Sequence, residues 1–197
     1  MKTTSIDTRQ SILHVALKTF AEKGYAGASV QEIVDAARVS KPALYYHFKN
    51  KADLYRAIVD RAFEERLRLM REAAARKGDL AGQLTEIGAA SFKFIAKNRE
   101  LMRLAFASAF AARGEVPHEA RCVQRAKCNL EFIRGLIQQA VARGELGRRF
   151  DAEELAMGFA GIMNFYVMGY LVGALPSLTA RTAQRIVRLF LSGAQAS

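Results

Sequence analysis

Apolar positions recur with a helical period along almost the whole chain, and no stretch shows convincing strand alternation. Ile12, Leu13, Ala16, Leu17 and Phe20 make the inner face of a first helix over Ser5–Gly24, with Gly24 as its stop. Val30, Ile33, Val34 and Ala37 follow at i, i+3, i+4 and i+7, a short second helix that Ser29 can cap. Arg38 and Val39 form a tight turn, with Val39 as an inward plug. Ser40 caps a third helix. Pro42 sits in its first turn, where a missing N–H costs nothing, and Leu44 and Phe48 face the core. Asn50 and Asp53 make a capping pair for a long helix running toward Arg76. Its Leu54 and Ile58 belong to the small N-terminal core, while Phe63, Leu67 and Met70 suit a second one.

Beyond Gly78, Asp79 caps a helix to about Lys97, and Asn98 interrupts it. Arg99–Arg113 continues and stops at Gly114. Pro117–Arg143 reads as a long helix ended by Gly144, and GELGRRF as a connector. Asp151 and Glu154 open a helix to about Ala174, Pro176 and Ser177 turn the chain, and Thr179–Ser192 is last. The pattern predicts an all-α fold of about nine helices. Residues 1–55 form a helix-turn-helix DNA-binding domain, and 56–197 a domain for ligand binding and dimerisation. No flexible linker separates them, so a stiff helix can transmit displacement.

The third helix leaves Lys41, Ala43, Tyr45, Tyr46 and His47 at or near its outer face. Cations, aromatic hydroxyls and small groups on a short helix suit phosphates and base edges, and a helix-turn-helix places its second helix in the major groove.

The run from Ile12 to Leu54 resembles the DNA-binding domain of the TetR (tetracycline-repressor-like) family. The matching features are FAEKGY at Phe20–Tyr25, the Ser29-x-x-x-Ile33 helix start, Val39-Ser40 and LYYHFKNKADL at Leu44–Leu54. The resemblance implies phosphate contacts from Ser29, Tyr45, His47 and Lys51. It implies base-edge or groove-floor contacts from Gln31, Lys41, Pro42, Ala43 and Tyr46, on the helix that Ser40 opens. One departure is Arg38, where the family usually has Gly. A left-handed Arg carries a penalty of roughly 1–2 kcal/mol.

Leu155–Leu175 has no charged residue and, by length alone, could span a bilayer, which needs roughly 20 apolar residues. A helix buried on nearly all sides is the reading adopted here. The resemblance implies that the last two helices form a dimeric four-helix bundle and that the first of them also lines a ligand cavity. Ala183, Ile186, Val187 and Phe190 make one apolar stripe on the last helix.

Composition adds less. The formal net charge of +11 favours an acidic partner, but residues 1–75 hold 13 Lys+Arg against 9 Asp+Glu, so the excess is not confined to the helix-turn-helix. Cys122 and Cys128 lack a zinc spacing, and no secretory signal precedes them, so a cytoplasmic location is expected. His14, His47 and His118 show no metal spacing either; no cofactor, metal or catalytic constellation is expected. Met and Phe are frequent in the C-terminal region, and Met102, Phe106, Phe132, Phe159, Met163 and Tyr166 are the candidate ligand-lining residues.

The expected function is a homodimeric, ligand-responsive transcriptional regulator, a repressor released from a palindromic DNA operator by a small apolar effector. A DNA-binding regulator without an effector, as activator or nucleoid-type binder, is the alternative, followed by a membrane-associated helical protein.

Overall fold

A computed structural model describes residues 5–112, 115–117, 123–147 and 150–194. Among them are nine α-helices and no strand element. The helices are α1 Ser5–Gly27, α2 Val30–Ala37, α3 Lys41–His47, α4 Lys51–Ala74, α5 Leu80–Lys97, α6 Arg99–Phe110, α7 Val123–Ala142, α8 Ala152–Leu171 and α9 Ala180–Ala194. Cys122, His118 and the side chain of Phe110 lie outside the described residues, as does the expected helix end at Arg113 and Gly114.

By contact the chain divides into two compact units. One holds Met1–Phe63 and Glu100–Val123, the other Glu64–Arg99 and Gln124–Ser197. α4 carries residues of both, and α6 groups with the N-terminal helices.

In the first unit α1, α2 and α3 pack on one another. Ile12, Ala16, Phe20, Ile33, Leu44, Leu54 and Val59 are fully or almost fully buried there. The Phe20 and Tyr25 rings both meet Tyr55 edge-on, at 5.0 and 5.3 Å. α1 breaks at Gly24, whose φ of 70° is left-handed, but helical turns resume to Gly27.

The second unit is built on α5 and α9, with α8 against both. A Cβ added at Gly88 on α5 would lie 2.9 Å from the Ala183 Cβ on α9, so this approach requires glycine. α8 opens with a reciprocal capping box. Asp151 Oδ1 accepts from Glu154 N at 2.7 Å, and Glu154 Oε2 accepts from Asp151 N at 3.0 Å. Its inner face is Leu155, Ala156, Phe159, Met163, Val167 and Leu171.

Three expectations need correction. Asp79 stands at the N-cap of α5 but makes no side-chain cap bond; Glu145 Oε2 accepts from Leu80 N instead, at 2.7 Å. Pro117 lies outside α7. α8 is not buried all round within one chain, because Met157, Phe165, Met168 and Val172 are exposed. α8 also ends at Leu171, short of Leu175, and no helix among the described residues is long and apolar enough to cross a membrane.

Candidate nucleic-acid interface

Local hydrogen bonds fix the second and third helices. Ser29 Oγ accepts from Glu32 N at 3.1 Å, and Glu32 Oε2 accepts from Ser29 N at 3.2 Å. Lys23 Nζ reaches Glu32 Oε1 at 2.7 Å, and this bond, then the Ser29 N–H, holds the Glu32 carboxyl below its usual range. After Ala37 the chain turns at Arg38, with φ 54° and ψ 43°, the left-handed conformation that the residue type disfavours. Val39 N donates to Val34 O at 3.0 Å and closes the turn. Ser40 Oγ then accepts from Ala43 N at 3.2 Å. Pro42 stands in the first turn, and Leu44 and Phe48 are buried beneath.

This inward pair sets what faces out. Lys41 and Pro42 are exposed, Tyr45 is 48% exposed and Tyr46 is 79% exposed, while Ala43 and His47 are half-buried. The Tyr46 and His47 rings meet edge-on at 5.0 Å. Such solvent exposure of an aromatic ring on a short helix is not a packing role.

Capping leaves chemistry available. The Ser29 and Ser40 hydroxyls each use an oxygen lone pair on the helix, so each O–H can still donate to a phosphate oxygen. Gln31 is exposed, and its Nε2 donates to Asp35 Oδ1 at 2.7 Å, which holds the amide in place.

Lys51 is arranged differently from the expectation of a phosphate contact. Its half-buried ammonium donates to Tyr25 O and Ala28 O, both at 2.8 Å, and lies 4.5 Å from the centroid of the Tyr25 ring. Two of its three donors thus tie the start of α4 to the end of α1. The exposed cations flanking α3 are Lys41, Arg38 and Lys49. Sequence reading did not select the last two as DNA contacts. Their signal was position alone, immediately before and after the helix.

The six candidate ligand-lining residues are not gathered by the structure. Met102 and Phe106 fall in the first unit and the other four in the second. Phe159 is buried with its ring 5.4 Å from that of Phe190, and Met163 Cε would lie 3.4 Å from a Cβ at Gly88. Phe132 sits with the Arg71 guanidinium 6.0 Å from its ring centroid, and Tyr166 is half-buried. One groove of about 480 Å³ lies between α5 and α9, and another of about 320 Å³ adjoins Phe20, Tyr55 and Leu104. None of the six lines either.

Comparison with known proteins bears on the same region. Residues 12–58 match the model of the bacterial regulatory proteins, tetR family. The transcriptional activator FasR of Mycolicibacterium smegmatis is 31% identical over 126 residues, 64% of this chain and 58% of that protein. The transcriptional repressor BepR of Brucella suis biovar 1 is 26% identical over 176 residues, 87% of this chain and 84% of that protein. The matched stretch thus spans a little over half of FasR. A crystal structure of the transcriptional regulator FadR of Bacillus subtilis, in complex with stearoyl-CoA, superposes with a TM-score of 0.79. That match has 19% identity and covers 93% of this chain and 98% of that one.

Proposed function

The chain belongs to the tetR family by its helix-turn-helix region, and from that premise we propose that it is a homodimeric, ligand-responsive transcriptional regulator, acting as a repressor. The observation that carries the reading is α3: a helix anchored by Leu44 and Phe48 whose opposite side presents Lys41, Pro42, Tyr45 and Tyr46 to solvent. In a dimer, two such helices enter successive major grooves of a near-palindromic operator, with half-sites about 34–36 Å apart or a multiple of that. Ser29, Ser40, Tyr45, His47 and the exposed Lys41 contact phosphates or sugars. Gln31, Pro42, Ala43 and Tyr46 contact base edges.

The dimer forms through α8 and α9. Met157, Phe165, Met168 and Val172 expose an apolar stripe on α8, and Leu189 is exposed on α9. An apolar stripe of this length on a single chain calls for a partner surface, and a second copy supplies a self-complementary one. The residues 56–197 serve ligand binding and dimerisation. α4 is uninterrupted from Lys51 to Ala74, so a displacement at one end moves the other. An effector that favours the displaced state lowers operator affinity; one that binds both states equally does nothing. The Bacillus subtilis FadR structure holds stearoyl-CoA, which supports an effector with a long apolar body. The same reading assigns no catalysis and a cytoplasmic location.

Selection of bound duplexes from a random-sequence pool tests the assignment. The expected product is a palindrome bound in the nanomolar range. Recovery of random sequence with no consensus would contradict it and favour a nucleoid-type binder.

A further inference from the structure

Inside the second unit, several polar atoms are buried without a hydrogen bond among the described residues: Arg66 Nε, Gln83 Oε1, Ser91 Oγ and both amide atoms of Asn129. Buried polar atoms are nearly always paired, and an unpaired one costs its full desolvation. Three of these side chains sit on the inward stripes of their helices. Arg66 is one turn before the buried Met70 on α4. Ser91 lies between the buried Ile87 and Ile95 on α5. Asn129, 8% exposed, heads the stripe of Ile133, Leu136, Ile137 and Ala140 on α7.

Arg66 is the most informative of them. It forms no ion pair among the described residues, whereas the nearby Glu65 and Glu72 both pair with Arg68. Burial alone pulls its guanidinium down to about 10, and no carboxylate opposes the shift. It remains a cation at neutral pH, without a counter-ion.

Two contacts draw these helices together. The Arg71 guanidinium lies 6.0 Å from the Phe132 ring centroid, which joins α4 to α7. Arg66 is about 7.5 Å along α4 from that contact and Asn129 about 4.5 Å along α7, at 1.5 Å per residue. On α5, Ser91 shares a face with Gly88, beside which Met163 Cε is placed. Methionine is a flexible filler that yields to a ligand.

We propose that Arg66 and Asn129, supported by the Ser91 hydroxyl, hold the anionic head of an otherwise apolar ligand within the second unit. A guanidinium N–H, an amide NH₂ and a hydroxyl are all donors, the set that a carboxylate or phosphate oxygen accepts. The Leu, Ile and Met positions beside them suit an alkyl body. This deepens the effector reading and rests on it.

The probes are palmitate, palmitoyl-CoA and methyl palmitate, tested on the full chain by calorimetry and thermal melting. Palmitate or palmitoyl-CoA should bind and raise the melting temperature, and methyl palmitate should not. Palmitate alone identifies a carboxylate site, palmitoyl-CoA alone a phosphate site. Arg66→Met should weaken anion binding roughly tenfold or more. It should also raise the melting temperature of the ligand-free protein, because it removes an uncompensated buried charge. Asn129→Leu should do the same to a smaller degree. Equal binding of the methyl ester overturns the proposal, as does unchanged affinity in Arg66→Met, a lowered ligand-free melting temperature, or no anion binding by the wild type. Arg66-dependent binding that leaves the selected duplex bound keeps the site and refutes the effector reading.

Discussion

At Arg38 a side chain occupies a backbone conformation that favours glycine, with φ at 54°. Arg38→Gly should raise unfolding stability by about 1 kcal/mol in a denaturant titration, since the left-handed penalty disappears. A loss of stability would mean that the guanidinium holds the turn. Lys51 and Lys41 should separate cleanly. Lys51→Met removes two charge-assisted bonds to the Tyr25 and Ala28 carbonyls and should cost about 2 kcal/mol of stability. Lys41 is exposed, so Lys41→Ala should leave stability unchanged while reducing DNA affinity. Equal melting of Lys51→Met and wild type would show that the tie contributes nothing. These distinctions were only half legible in the sequence. The serine caps were, because cap and helix lie within four residues. The acceptors of Lys51 lie 23 and 26 residues upstream, and no local pattern announces them.

The start of α5 is an element-scale case of the same lesson. Asp79 has the right residue type at the right place, yet the donor at Leu80 is satisfied by Glu145, 65 residues away. That N–H, then Arg143, holds the Glu145 carboxyl below its usual range. A carboxyl lowered in the folded state stabilises above its unfolded value and loses that contribution as pH falls through the folded one. Glu145→Ala should therefore cost about 1 kcal/mol at neutral pH, a typical helix-cap value, and the difference should close in acid below the carboxylate range. Asp79→Ala should be nearly neutral. Chemical denaturation of both variants across pH checks this; a larger loss from Asp79→Ala would reverse the roles. The helices themselves were legible from the period of Ile, Leu, Val and Phe. Their far partners were not. Met102, Phe159 and Met163 illustrate the limit: composition marks them as apolar, and only the fold decides that they are buried in core.

For the whole molecule, the sequence shows an uncharged helix but not which side of it meets its own chain. The structure spends Phe159, Met163 and Val167 inward and leaves Phe165 and Val172 each 77% exposed. Phe165→Glu should thus give a folded monomer, with helicity and melting little changed, by sedimentation and circular dichroism. Phe190, buried against Phe159 within one chain, would unfold the protein instead. A Phe165→Glu protein that remains dimeric would move the interface elsewhere. The central claim, that α3 reads DNA, is tested most directly by binding to the selected palindrome and to a scrambled duplex across a salt series. Lys41→Ala should weaken both and lower the slope of log affinity against log salt by about 0.9, one phosphate's contribution. Tyr46→Ala should cost roughly 1–3 kcal/mol on the palindrome, little on the scrambled duplex, and leave the slope unchanged. Equal losses on both duplexes from Tyr46→Ala, or none from either variant, would contradict it.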